Sequence, residues 1–111
     1  GVRRLFALTM TMLQVRGGIL LVDEIDTGMH YSTLVPLWQL ITESAKLHNV
    51  QVFATTHSWD CLAALARVLH GSSVHDETDV ALFRIEQGSS MGIRYSAAEI
   101  VTAAQQGIEV R

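Results

Sequence analysis

The stretch Ile19-Leu20-Leu21-Val22-Asp23-Glu24 decides the fold of this chain, because four apolar residues are followed at once by two carboxylates. A short, unbroken apolar run is typical of a parallel strand that is covered on both faces. Ligands of open parallel sheets bind beyond the carboxyl ends of the strands. The stretch therefore predicts a strand over residues 19–22 that places Asp23 and Glu24 at a binding edge.

Two adjacent carboxylates at such an edge have a specific chemical use. The first, Asp23, is suited to hold a hydrated Mg²⁺ beside nucleotide phosphates. The second, Glu24, is suited to orient or deprotonate an attacking water. Taken alone, the pattern favours this reading no more than it favours a buried strand followed by a solvated acidic turn.

A second apolar run ends in the same way, in Val52-Phe53-Ala54-Thr55-Thr56-His57-Ser58. We expect a strand over residues 50–54, followed by a loop in which His57 can donate a hydrogen bond to a γ-phosphate and report its presence. A lone histidine at a strand end is more often a satisfied polar residue. However, one helix joins the two strands, so their ends should lie side by side, and the pair favours a nucleotide site.

Helical signals surround these two strands. Leu5, Leu8, Met12 and Val15 recur at helical spacing, and Gly17-Gly18 ends the pattern. This spacing predicts that a helix packs one apolar stripe against the core just before the first strand.

The second and third helices have their own start and stop signals. Ser32 is the expected N-cap of a helix that runs to about residue 47, and Asn49 marks the turn after it. Either Ser58 or Asp60 caps the next helix, which runs to about residue 70.

The last third of the chain predicts two more strands and a helix. After a polar connection, residues 79–85 form a third strand, residues 87–92 a hairpin-like loop and residues 93–95 a short strand. Ser96 then caps the final helix, and Glu99, three residues later, completes a capping box.

The composition is that of a globular chain, with 49% apolar and 17% charged residues among 111. That length suits one small domain with a single core. Alternating helices and apolar strands predict an α/β layer with a mostly parallel sheet and flanking helices. We find no repeat and expect no internal boundary within residues 1–111.

The composition also argues against several classes of function. A net charge of −3 is a poor fit to a dedicated nucleic-acid module, so DNA binding would have to come from other parts of a larger protein. The apolar runs are too short to span a membrane. A single cysteine, Cys61, favours a reducing compartment, and we predict a cytoplasmic protein without a disulfide. The five histidines show no zinc-like spacing.

With both strand ends in view, the sequence resembles a known family. Asp23-Glu24-Ile25-Asp26 and then Thr55-Thr56-His57-Ser58 look like the Walker B and H-loop pair of ATP-binding cassette (ABC) type ATPases. The likeness is greatest to the non-transporter branch, which includes SMC and RecF-like ATPases and the AAA-type ATPases related to the overcoming-lysogenization-defect (OLD) proteins. It implies a partial P-loop NTPase fold, the C-terminal half of an ATPase head.

The resemblance implies a role for each matching position. Asp23 is the Mg²⁺ carboxylate of Walker B, Glu24 the catalytic base and His57 the switch histidine. Gly1 falls at the tail of the signature motif. Asp26 begins and His30 ends the D-loop, which in this family reaches across a head-to-head dimer. SMC-like and transporter proteins usually end this loop in aspartate, so a histidine there favours the OLD-like group.

The family's phosphate-binding loop does not occur in these residues. No G-x-x-x-x-G-K-[ST] pattern is present, and the single lysine, Lys46, follows no glycine loop. Because backbone donors and a lysine supply most of the affinity for phosphates, we expect the isolated chain to be inactive. The first residue is glycine rather than methionine, which indicates a fragment or a processed chain.

The leading hypothesis is therefore a head fragment that needs ATP, Mg²⁺ and a Walker A segment supplied by the rest of the same head. Two alternatives stay open: a non-enzymatic interaction module that keeps the fold, and a fragment of a transporter's nucleotide-binding subunit. The strand over residues 50–54 is apolar and uncharged. Without a phosphate-loop strand beside it, we expect an exposed edge and self-association.

Overall fold

The computed structural model describes residues 2–71, 79–88 and 90–107. Their contacts group the chain into two compact units, residues 1–57 and residues 58–111. The elements, in chain order, are α1 (Val2–Gln14), β1 (Ile19–Val22), a 3₁₀ helix (Tyr31–Thr33), α2 (Leu34–His48), β2 (Gln51–Ala54), α3 (Trp59–Gly71), β3 (Ala81–Arg84), β4 (Ile93–Ser96) and α4 (Ala97–Gln105).

The first unit is built around a parallel pair of strands. β1 and β2 lie side by side, with Leu20 opposite Val52 and Leu21 opposite Phe53. Helix α2 connects them, as parallel neighbours require, because a parallel pair needs a crossover rather than a tight turn. The prediction that the two strand ends lie next to each other is confirmed, and the α/β class with a small parallel sheet is confirmed with it.

Two residues with a left-handed backbone conformation lie in the turns that lead into the amino ends of β1 and β2. Gly17, with φ of 77°, ends the turn after α1, and Asn49, with φ of 53°, caps the carboxyl end of α2. Glycine and asparagine are the residues that tolerate this conformation best. Main-chain bonds then fix the strands, since Gly17 N–H donates to the His48 carbonyl and Gln51 N–H to the Gly18 carbonyl, both at 3.0 Å.

The core of the first unit lies against one face of the sheet. Its buried apolar side chains come from both helices, from β1, from the turn after β1 and from the residue before β2: Leu8, Met12, Leu20, Ile25, Leu34, Leu37, Trp38, Ile41 and Val50. The opposite face differs from the prediction that β1 is covered on both sides. Ile19, Leu21 and Phe53 are 58%, 74% and 51% exposed.

The second unit combines an antiparallel pair with two helices. β3 and β4 pair antiparallel, with Leu82 opposite Tyr95. Leu62 of α3 and Ala103 of α4 form the centre of an apolar cluster against which Trp59, Leu82 and Tyr95 pack. Helix α3 is the most deeply packed element, with buried residues all along its length from Cys61 to Leu69.

The capping signals of the second unit are confirmed. The hydroxyl of Ser58, rather than the carboxylate of Asp60, accepts a hydrogen bond from Cys61 N–H at 3.2 Å. Ser96 and Glu99 form the predicted capping box, each side chain bonding the other residue's main-chain N–H at 3.3 Å.

Two expectations about secondary structure need correction. Ser32 is not the N-cap of α2; it lies within the 3₁₀ helix, and α2 begins at Leu34 after Thr33. The reason is that Ser32 N–H donates to His30 Nδ1, so that His30 caps a 3₁₀ turn ahead of α2. The strand predicted over 79–85 is shorter, Ala81–Arg84, and lies in a sheet separate from β1 and β2; its antiparallel pairing with β4 agrees with the predicted hairpin-like loop.

Two further expectations concern the polar connection after α3 and the absence of a membrane-spanning segment. Residues 72–78, which hold most of the expected polar connection, lie outside the described residues. Within the described residues, no helix has the length and apolar character that crossing a membrane requires.

Candidate functional site

The candidate site lies where β1 and β2 end side by side. Val22 is opposite Ala54 at the last register position, so the turns that follow begin next to each other. Main-chain bonds extend past the strands, since Thr55 N–H donates to the Val22 carbonyl at 3.0 Å and Ile25 N–H to the Thr55 carbonyl at 2.9 Å. The parallel register therefore brings residues about thirty positions apart in sequence into one polar cluster.

The hydroxyl of Thr55 joins the predicted Mg²⁺ ligand, Asp23, to the predicted catalytic base, Glu24. It donates to Asp23 Oδ1 at 2.5 Å and accepts from the Glu24 main-chain N–H at 2.8 Å. A hydroxyl has one proton, so its donor capacity is used on Asp23. Both acidic side chains are exposed at this end of the sheet, where they can reach a ligand in solution.

Glu24 has an unusual backbone conformation, with φ of 48°. A residue with a Cβ in the left-handed region costs about 1–2 kcal/mol relative to the ordinary helical region. Arg4 of α1 lies over this turn, and its Nη2 donates to the Glu24 carbonyl at 3.1 Å and its Nε to the Ile25 carbonyl at 3.2 Å. The side chain of Ile25 is fully buried, which anchors the turn to the core.

A second threonine holds the next acidic residue. The Thr56 hydroxyl donates to Asp26 Oδ1 at 2.5 Å. Thr55 and Thr56 thus bond Asp23 and Asp26 in turn, so the loop after β2 fastens the acidic turn after β1 at two points. His57 follows directly on Thr56 and is exposed.

The predicted D-loop histidine has a local structural role. His30 Nδ1 lies 2.9 Å from Ser32 Oγ and accepts from Ser32 N–H at 3.3 Å. Acceptance at Nδ1 places the ring proton on Nε2 in the neutral form. The ring centroids of His30 and Tyr31 are 4.3 Å apart. Gly1, the remaining predicted binding residue, lies outside the described residues.

The acidic groups suit a partly hydrated Mg²⁺ rather than an ion enclosed by protein ligands. No group of three or more His, Cys, Asp or Glu side chains with metal-binding geometry occurs among the described residues. Mg²⁺ usually keeps several waters and binds one or two carboxylates together with substrate phosphates. An exposed carboxylate such as Asp23, oriented by a hydroxyl on one oxygen, fits that mode.

Comparison with known families now identifies the chain. A family model described as "AAA domain, putative AbiEii toxin, Type IV TA system" matches residues 1–62, which is more than half of the 111 residues. The chain belongs to this AAA-domain family. The match runs from α1 through both strand ends into α3, so it covers the whole cluster around Asp23 and Thr55. The AAA-type part of the predicted resemblance is confirmed, and an AAA domain is a nucleotide-binding, ATPase-like domain.

One similar curated protein is archaeal. An uncharacterized protein of Methanocaldococcus jannaschii is 42% identical over 48 residues, a segment that covers 43% of this chain and 42% of that protein. The similarity therefore spans less than half of that relative's length. No solved structure matches the chain.

Sequence reasoning found the acidic residues but missed the side chains that hold them. Thr55 and Thr56 were noted only as loop residues, although two hydroxyls directly after a strand that neighbours an Asp-Glu strand end are a usable signal. Arg4 gave no such signal, because its bonds span about twenty residues and end on main-chain carbonyls.

Proposed function

We propose that this AAA-domain chain is the Walker B half of an ATPase head that hydrolyses ATP with Mg²⁺. The observation that carries the proposal is the cluster at the carboxyl ends of β1 and β2, in which Thr55 bonds both Asp23 and the main chain of Glu24. A carboxylate for Mg²⁺ and a second one for the attacking water, at that edge of a parallel sheet, are among the groups that phosphoryl transfer uses.

Each residue then has one task. Asp23 holds the hydrated Mg²⁺, which neutralises charge on the phosphates when it is bound. Glu24 orients the attacking water and accepts its proton. His57 donates a hydrogen bond to the γ-phosphate and so distinguishes ATP from ADP. Asp26 and His30 belong to the D-loop, and His30 Nε2–H supplies a donor towards a second head.

The phosphate-binding loop is supplied by another segment of the same head in this proposal. A Walker A loop provides backbone donors and a lysine for the β- and γ-phosphates. The cluster at the carboxyl ends of β1 and β2 contains neither a lysine nor a G-x-x-x-x-G-K-[ST] loop. The proposal therefore concerns the full-length protein that contains this chain, and its activity is to be measured there.

Replacing Glu24 by glutamine in the full-length protein tests the proposal. The amide still hydrogen-bonds water but does not accept its proton, so steady-state phosphate release should fall by about 10²–10⁴-fold while ATP binding is kept. The matched control is Glu43→Gln, the same chemical change on an exposed residue of α2, which should leave the rate unchanged. Hydrolysis at the wild-type rate in Glu24→Gln would remove Glu24 as the base.

The proposed partners include a second copy of this chain. The exposed face of the first sheet presents Ile19, Leu21 and Phe53, and β2 pairs on one side only among the described residues. An apolar face and an open strand edge both favour association. In the intact head, the missing Walker A half would cover the same surface.

Sedimentation of the isolated chain over a concentration series measures this association. We expect the weight-average mass to rise with concentration, and Leu21→Ser to reduce the rise because Leu21 stands at the centre of the exposed face. Leu47→Ser is the control, since Leu47 is similarly exposed, at 79%, near the end of α2. A wild-type chain that stays monomeric at high concentration contradicts the proposal, as does equal association of the two variants.

A further inference from the structure

The conformation of Glu24 is held from outside its own turn. Glutamate has no preference for the left-handed region, and a φ of 48° is unusual for a residue with a long side chain. Such a residue persists only where its surroundings determine the backbone. The structure must therefore contain groups that keep Glu24 in place.

Those groups hold both peptide planes on either side of the Glu24 Cα. The preceding plane is held through the Glu24 N–H, which donates to Thr55 Oγ1 at 2.8 Å. The following plane is held at both ends: Arg4 Nη2 donates to its carbonyl at 3.1 Å, and its N–H, on Ile25, donates to the Thr55 carbonyl at 2.9 Å. Because φ and ψ are the rotations of these two planes about one Cα, holding both planes fixes both angles.

The chemistry of Arg4 suits this task. Its guanidinium offers several donors in a fixed planar fork. Two of them reach successive carbonyls, those of Glu24 and Ile25. The carboxylate of Glu24 is not the partner, so Arg4 sets the position of the residue without neutralising the charge of its side chain.

We propose that Arg4 and Thr55 are positioning residues for ATP hydrolysis, which fix the left-handed main chain of Glu24 and thereby the place of its carboxylate. This inference rests on the proposed role of Glu24 as the base. When either bond is lost, the backbone relaxes towards negative φ and the carboxylate swings away from the attacking water. Binding of ATP, which depends on other groups, is retained.

Arg4→Met in the full-length protein is the first test, because methionine keeps an apolar stem and removes both donors. We expect kcat to fall by about 10–100-fold, as for other small misplacements of a catalytic group, with the KM for ATP within about twofold of the wild type. Arg3→Met is the matched control, an identical change one residue earlier on an exposed position of α1, and it should keep the wild-type kcat.

Thr55 is tested with two substitutions that differ by one group. Thr55→Ser keeps the hydroxyl and should keep most of the activity, whereas Thr55→Val keeps the shape and should lose it. Thr55 also bonds Asp23, so its valine variant should raise the Mg²⁺ requirement as well. Arg4 touches only main-chain carbonyls in this turn and gives the cleaner result.

A double variant separates positioning from a general structural effect. A residue that acts through Glu24 has nothing left to position once Glu24 is glutamine, so Arg4→Met should add no further loss to Glu24→Gln. Losses that multiply would show that Arg4 acts elsewhere and would overturn the inference. If Arg4→Met does not fold, Arg4→Lys, which keeps the charge but has a single donating nitrogen in place of the two that reach the Glu24 and Ile25 carbonyls, should show an intermediate loss; wild-type kcat in that variant would equally overturn the inference.

A readout without turnover separates this inference from the proposed function. The HN–Hα coupling and carbon shifts of Glu24, measured by NMR, report the sign of φ. We expect a positive φ in the wild type and in Arg3→Met, and its loss in Arg4→Met. If Glu24→Gln hydrolyses ATP normally, the assignment of Glu24 as the base fails, while the NMR measurement still tests whether Arg4 fixes the main chain of Glu24. A positive φ that persists in Arg4→Met would overturn that role of Arg4.

Discussion

Both ends of the parallel sheet contain residues with positive φ, but these residues are stabilised in different ways. At the amino end, Gly17 and Asn49 adopt positive φ, and main-chain bonds hold the strands together. At the carboxyl end, Glu24 adopts positive φ, and side chains of Arg4 and Thr55 hold it. The amino end thus uses residues suited to the conformation, whereas the carboxyl end forces an unsuited residue into it.

The difference agrees with the proposal that the carboxyl end of the sheet serves chemistry. A glycine or asparagine at position 24 would fit the backbone at lower cost, so local propensity does not account for the glutamate. Strain that depends on specific side chains is typical of functional sites rather than of structural turns. Local propensity accounts for the amino end, and the proposed role of the Glu24 carboxylate accounts for the carboxyl end.

A histidine lies close to β2 at each end of the sheet, and this pair allows the test with the larger expected effect. His57 follows β2 at the carboxyl end, while His48 ends α2 at the amino end. In the full-length protein, His57→Ala should weaken ATP binding more than ADP binding, by about 10–100-fold, because a hydrogen bond to a charged group contributes about 1.5–3 kcal/mol. His48→Ala should leave the ratio unchanged. Titrations with both nucleotides measure it.

Equal losses for ATP and ADP in His57→Ala would contradict a sensor role and leave His57 as a structural residue. A changed ratio of ATP to ADP affinity in His48→Ala would contradict the proposal that only the carboxyl end of the sheet contacts the nucleotide.

The smaller test concerns stability. Glu24→Gly should raise the free energy of unfolding of the chain by about 1 kcal/mol, because glycine relieves the left-handed strain. Gly17→Ala should lower it by about 1 kcal/mol, although an added Cβ at Gly17 meets no atom within 4 Å, since its φ of 77° is unfavourable for alanine. Urea unfolding with matched m-values measures both.

The opposite sign in the two variants is the informative outcome. If Glu24→Gly destabilises the chain, the glutamate backbone is not strained. If Gly17→Ala is neutral, the amino end does not depend on glycine.

The sequence predicted an element of the fold well where all the residues that determine it are neighbours in sequence. The run of residues 19–22 was predicted with its observed bounds, because Gly17-Gly18 and Asp23 delimit it. The Ser96–Glu99 capping box was also found, since both partners lie within one turn. Ser32 was misassigned because the side chain of His30 competes for the same N–H.

The candidate site was predictable only in its acidic half. Asp23 and Glu24 stand in a readable motif, but the bonds from Thr55 and Arg4 span 31 and 20 residues. Such contacts depend on the strand register and on the docking of α1, neither of which a local pattern contains. The left-handed Glu24 was hidden for the same reason, because glutamate carries no signal for that conformation. The single-head assignment of residues 1–111 stays a prediction.

The division of the chain into two compact units has a spectroscopic consequence. The chain has two tryptophans, and each unit contains one: Trp38 is buried in α2, and Trp59 begins α3. Substituting either tryptophan by phenylalanine leaves a chain whose intrinsic fluorescence reports on one unit alone. Emission recorded through a denaturant titration therefore shows whether the unit with β1 and β2 and the unit with β3 and β4 lose their structure in one transition or in two.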